Sequence, residues 1–196
     1  LDRDPNYAEA LQGLIGLYTR QNQPAKVLAR VQTQIAKAPN NSRYYYLLGS
    51  LEASNKNLDK AEAALQNAVD LDKNNSDAFL LLGQLQAVRG SPAKAIAMNE
   101  QFVQSHPKDV RGYLLLGMLE EQRGNWQRAQ EHYQKALQVE PDNAAAANNL
   151  AYSMLQHGGN VDVALSYAQT ARSGMPESPA SADTLAWAYY HKGTYG

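Results

Sequence analysis

The stretch LLLGMLEEQRGNWQRAQEHYQKALQVEPDN, residues 114–143, carries two adjacent carboxylates (Glu120, Glu121), a His beside a Tyr (His132, Tyr133), one Trp (Trp126) and a Pro-Asp-Asn end. Taken alone, it invites a search for chemistry. Taken with the rest of the chain, it is one period of a repeat. Gly49, Gly83 and Gly117 recur at an interval of 34 residues, each after a leucine (Leu48, Leu82, Leu116), and Ala61, Ala95 and Ala129 keep the same interval. Pro39, Pro107 and Pro141 mark unit ends in that register, with Lys73 in the remaining place, and counting back one period from Pro39 lands on Pro5. The next unit keeps the pattern through Leu150 and Ala151, then slips by one residue in QHGGNVD. Ala164, Ala168, Ala171 and Pro176 are all displaced, as an inserted glycine at 158 or 159 requires.

Within a unit the apolar spacing is helical. Tyr45, Leu48 and Gly49 share one stripe, NKN breaks it, and Leu58, Ala61, Leu65, Ala68 and Leu71 form a second stripe, so each unit reads as helix, short turn, helix. Glycine inside a helix costs about 1 kcal/mol relative to alanine, so its recurrence at 49, 83 and 117 predicts two helix backbones too close for a side chain. Ala61, Ala95 and Ala129 are expected to face those glycines. Gly90, Gly124 and Gly193 fall where the first helix must stop, as left-handed caps, and the Asn or Asp of PNNS, KNNS and PDN is placed to cap the next helix. Trp126 shares its place at the start of the second helix with Leu58 and Tyr195, and Tyr133 holds the aromatic place further along; both are expected in the core.

With this period, LLG in the first helix, glycine at the turn, alanine and an aromatic in the second helix and proline at the end, the chain resembles the tetratricopeptide repeat family. Residues 114–143 come nearest to its pattern, through Leu116, Gly117, Gly124, Trp126, Ala129, Tyr133, Ala136 and Pro141. The resemblance implies an all-α fold, a right-handed α-solenoid of stacked antiparallel helix pairs. Its units fall at 8–41, 42–75, 76–109, 110–143 and 144–178, after the tail of a preceding repeat at 1–7 and before the first helix of a truncated sixth at 179–196. The chain is therefore expected to be a fragment of a longer repeat protein, and its resemblance to Gln- and Ala-rich members of the family implies a bacterial one. Natural arrays close their ends with polar capping elements. Lacking one, helix 179–192 is expected to expose Leu185 or Tyr189, or to pair with another copy.

Composition removes several classes of function. A net charge of −1, from 18 basic and 19 acidic residues, provides no field to draw the chain to nucleic acid or an anionic membrane. The absence of cysteine excludes disulfides and thiolate metal sites, and is compatible with a cytoplasmic or an exported, periplasmic location. No apolar run approaches the roughly 18 residues that a membrane span requires. Glu120 and Glu121 point about 100° apart on a helix, so they cannot converge as an acid and base pair, and both are expected to be solvated, as is His132. His106, His132, His157 and His191 lack the His-Glu-x-x-His spacing, and His157 with His191 lacks a third ligand. With no phosphate loop and no nucleophile elbow either, neither enzyme, cofactor nor metal is expected.

In the tetratricopeptide family the first helices line a concave groove. By that register Tyr46, Leu80, Leu114, Met118, Tyr152 and Trp187 form an apolar and aromatic band with polar margins, which include Asp183 and His191. Asn148 and Asn149 lie on the same helix as Tyr152, and an amide can donate to and accept from an extended peptide backbone at once. The places that hold the Lys, Asn and Arg clamp of chaperone-binding members are occupied here by Gln12, Gly16, Leu47, Asp77 and Leu81, which disfavours a chaperone tail. The expected function is non-catalytic binding of a peptide or protein segment in the groove. The alternatives are a structural spacer or self-assembling segment, and a regulatory arm of a multidomain protein.

Overall fold

The computed structural model describes residues 4, 6–21 and 23–193, the Thr19 side chain excepted, so Pro5 and Tyr195 lie outside the described residues. Among those residues every regular element is an α-helix. The chain divides into two compact units, residues 1–91 and 92–196. The first contains α1 (Ala8–Arg20), α2 (Pro24–Lys37), α3 (Ser42–Ser54), α4 (Leu58–Leu71) and α5 (Ser76–Val88). The second contains α6 (Pro92–Ser105), α7 (Val110–Gln122), α8 (Trp126–Val139), α9 (Ala144–Gln156), α10 (Val161–Gly174) and α11 (Pro179–Lys192).

Helix starts follow from the capping residues. Asn41, Asn75, Asp109 and Asn143 each accept a hydrogen bond from a backbone N–H in the first turn of α3, α5, α7 and α9. Each such cap stabilises its helix by about 1 kcal/mol. Helix ends follow from backbone geometry: Gly90, Gly124 and Gly158 adopt φ of 76°, 79° and 73° at the α5, α7 and α9 turns. Gly158 keeps the 34-residue spacing from Gly124, so the inserted residue is Gly159, whose N–H donates to the Met154 carbonyl at 2.7 Å.

The α3–α4 turn places Lys56 in that same left-handed position, with φ of 62°. A side chain there costs about 1–2 kcal/mol, part of which glycine returns as chain entropy. Lys56→Gly is therefore expected to stabilise the first unit by about 0.5–1 kcal/mol, read as a higher urea midpoint at unchanged m-value.

Small residues let the helix pairs close. A Cβ added to Gly49 would lie 2.6 Å from Leu65 Cγ and 3.2 Å from the Ala61 carbonyl oxygen, and one added to Gly117 would strike the Tyr133 ring. Ala61 thus faces Gly49 as expected, through its carbonyl, while the side chain that meets the glycine is Leu65, and at Gly117 Tyr133, one turn beyond the alanine. In the first unit Ala8, Leu11, Val31, Ala38 and Tyr44 form a core cluster under Leu47, Leu48 and Leu51. Gln34, fully buried, hydrogen-bonds the Tyr44 hydroxyl. In the second unit Ala129, Tyr133 and Leu150 form one cluster and Ala151, Leu155, Ala164, Leu165, Ala168 and Ala188 another.

The carboxylates expected in solvent are structural. Glu120 is fully buried, its Oε2 accepting from Asn125 Nδ2 at 2.7 Å and its Oε1 from Arg128 Nη1 at 3.2 Å. It ties α7 through the turn to α8. The same place in the period holds Glu52, also buried and accepting from Asn57 Nδ2 at 2.8 Å, and Gln86, buried and donating to Glu62 at 2.8 Å. Glu121 accepts from the Tyr133 hydroxyl at 3.0 Å. Trp126 is half-buried rather than core, its ring stacked 5.0 Å from that of His157.

His132 departs from expectation in the same direction. It is half-buried, with Nδ1 enclosed and unpartnered. Burial above all, and Lys135 after it, holds its pKa below the ordinary 6.5, against the pull of Glu120, Glu100 and Glu131. A histidine depressed in the folded state binds its proton more readily when unfolded, so its contribution is complete above about pH 6.5 and is lost as pH falls through the lower folded value. Urea unfolding at pH 7.5 and 5.5 is expected to show a loss of stability that is smaller in His132→Leu than in the unaltered chain.

Candidate functional site

Two neighbouring first helices of the second unit build a partly enclosed site with convergent polar groups. Asn143 caps α9, and α11 starts on Pro179 in its first turn and stops at Gly193, with φ of 76°. Each helix commits one edge to α10: Ala151 and Leu155 from α9 and Ala188 from α11 enter the shared core, with Leu185 and part of Trp187 packed on it. The remaining edges face each other. Asn148 and Tyr152 on α9, and Ala180, Asp183, Thr184 and Trp187 on α11, line a pocket of about 480 Å³. The α11 residues are spaced as one helix face, at i, i+3, i+4 and i+7.

The pocket has two aromatic walls. The Tyr152 and Trp187 ring centroids lie 5.4 Å apart at 56°, and Trp187 continues to His191 at 5.3 Å. The Tyr152 hydroxyl accepts from Gln156 Nε2 at 2.9 Å, which steadies its ring, while the Thr184 hydroxyl is turned back to the Ala180 carbonyl at 2.9 Å. Asp183 is exposed at the rim. Asn148 Oδ1 is buried without a hydrogen-bond partner.

The eight residues expected to line a groove separate into distinct groups. Asn148, Tyr152 and Trp187 meet at this pocket. Met118, on α7, is 46% exposed. Leu114 is half-buried and packs on the clusters around Val110 and Tyr133. Asn149 is drawn to the Tyr133 hydroxyl, which leaves its amide engaged within the protein. In the first unit Tyr46 is half-buried, and Leu80 is 7% exposed and offers almost no surface to a ligand. Ala180 and Thr184 were not among the expected residues, although their spacing from Trp187 signals the same face.

The histidines have structural company. His157 lies against Trp126, His106 stacks on Phe102 at 4.6 Å, and His191 contacts Trp187 and Tyr190. Among the described residues no three acidic or histidine side chains gather as a metal site, and no helix is long and apolar enough to cross a membrane.

Comparison with known proteins adds to this geometry. The sequence model of the cytochrome c-type biogenesis protein H TPR domain matches residues 21–147, and a second tetratricopeptide repeat model matches residues 114–183. The chain belongs to the tetratricopeptide repeat family. Its α-solenoid fold is shared by solved members that are distant in sequence. PilW, a type IV pilus biogenesis factor, is 18% identical with a TM-score of 0.74 over 95% of this chain and 86% of its own. A tetratricopeptide repeat protein from Parabacteroides merdae is 18% identical with a TM-score of 0.72 over 95% of this chain and 73% of its own. YrrB, described as having an unusual peptide-binding site, is 17% identical with a TM-score of 0.61 over 93% of each chain. No curated protein matches this tetratricopeptide repeat chain in sequence.

Proposed function

We propose that this tetratricopeptide repeat chain is a non-catalytic scaffold that binds a peptide or protein segment along its first helices, with the α9–α11 pocket as the anchor point. The observation that carries this reading is the pair Tyr152 and Trp187, large rings left accessible beside a pocket with polar groups at its margin. Partly exposed aromatics in a concave setting are the usual anchors of protein recognition. YrrB's peptide-binding site supports it by analogy within the fold. The matching family is named for cytochrome c-type biogenesis, so components of that assembly process are the first partners to try.

A photo-crosslinking residue placed at 152 on α9, and separately at 166 on the exposed side of α10, tests the reading in an extract of the source cell. Partner adducts are expected from position 152 and not from 166. Adducts from 166 alone would move the binding surface to the second helices.

A second reading has its own observation. Tyr189 and Tyr190 are 38% and 63% exposed on α11, a surface on which a further copy can dock. Sedimentation over a concentration range decides it, since self-assembly requires the mass to rise with concentration.

A further inference from the structure

We infer that the α9–α11 pocket recognises a positive charge, the guanidinium or ammonium of an Arg or Lys side chain carried by the bound segment. The inference rests on the reading of this pocket as a peptide site and names what it selects. Its lining contains no Lys, Arg or His, and Asp183 is its sole charged group. Asp183 is exposed, and none of the ion pairs among the described residues engages it. The nearest cation along α11, Lys192, is instead paired with Asp162 at 3.0 Å.

The walls suit the same ligand. Tyr152 and Trp187 touch each other, inclined at 56° with centroids 5.4 Å apart, so a side chain laid across the pair from the pocket meets ring surface from both. Ring faces carry negative potential and attract cations, tryptophan most strongly. Asn148 lines the pocket as a neutral amide, with its Oδ1 buried and given no donor by the protein. A cationic donor pairs with Asp183 at the rim and brings no like charge to the lining. A purely apolar occupant would desolvate Asp183 without compensation, and an anionic one would meet its charge directly. A volume of about 480 Å³ accommodates one long side chain with part of its backbone.

The two tryptophans make the test direct, because Trp187 lies in the pocket and Trp126 does not. Their indole N–H resonances, assigned with Trp126→Phe, are followed while Ac-Gly-Arg-Gly-NH2, Ac-Gly-Lys-Gly-NH2, Ac-Gly-Gln-Gly-NH2 or Ac-Gly-Glu-Gly-NH2 is added to the chain. The Arg and Lys peptides are expected to move the Trp187 resonance to saturation and leave Trp126 in place, and Asp183→Asn is expected to weaken them about fivefold or more. Circular dichroism of Asp183→Asn checks that the helices are intact. If the Gln peptide binds as well as the Arg peptide, or Asp183→Asn changes nothing, charge recognition is overturned while the pocket remains a peptide site. If no peptide moves Trp187, the inference is overturned, and the crosslinks from position 152 judge the scaffold reading separately.

Discussion

Gly117→Ala is expected to destabilise the second unit by about 2 kcal/mol, although alanine is the better helix former by about 1 kcal/mol. The added methyl would overlap the Tyr133 ring, lying 2.6 Å from its Cδ1. That ring cannot swing aside cheaply. Tyr133 is fully buried, its hydroxyl donates to Glu121 at 3.0 Å, and it is also bonded by Asn149. Burial first, then the Glu121 carboxylate, pushes the phenol's pKa far up, so it stays a neutral donor throughout the accessible pH range. Shifting the ring would strand those partners, and leaving it would strain α7 against α8. In a Tyr133→Ala background the same substitution is expected to cost at least about 1 kcal/mol less, because the obstacle is gone; leucine would not clear it, since Leu65 blocks Gly49 in the equivalent place. Urea unfolding of the two single variants and the double variant measures the coupling. A Gly117→Ala chain that is more stable than the original would mean that helix propensity outweighs close approach at this position.

That pairing also shows where sequence reasoning reaches and where it stops. The caps at 41, 75 and 143 and the left-handed glycines at 90, 124 and 193 were legible because backbone geometry restricts each to few residue types. Gly117 was legible as a close approach, but its partner was misplaced by one turn, since the period fixes which helices meet and not which side chain fills the gap. Glu120 was misread as solvated because one helix viewed alone does not include Asn125 and Arg128, which fold back onto it across the turn. A signal was present all the same: Glu52, Gln86 and Glu120 keep the 34-residue interval, and a polar residue that repeats in register with core positions has a structural partner to find. His132 carried no such repeat, and its half-burial depends on neighbours that the period does not specify.

The groove residues divide for the same reason, and the division yields the second large effect. Leu80 and Tyr152 were placed on one binding band by register, yet Leu80 is 7% exposed and Tyr152 is 44% exposed. Leu80→Ala is expected to cost about 2–3 kcal/mol of stability in the first unit through lost burial and the cavity left behind. Its effect on partner affinity should be small under conditions where the unit stays folded. Tyr152→Ala is expected to do the reverse. Removing a surface ring bonded to Gln156 leaves the α9–α10 core untouched, so melting should change by less than about 0.5 kcal/mol. If the ring is one of the two walls that grip the bound segment, affinity should fall by about 2 kcal/mol, roughly thirtyfold, the range of an aromatic hot spot. Calorimetric titration of a partner recovered by crosslinking, set beside urea curves for both variants, measures the four quantities. Equal loss of affinity in the two variants would mean that binding reports the general integrity of the repeats. A loss confined to Tyr152→Ala would assign recognition to the surface between α9 and α11, because stability and affinity then answer to different side chains.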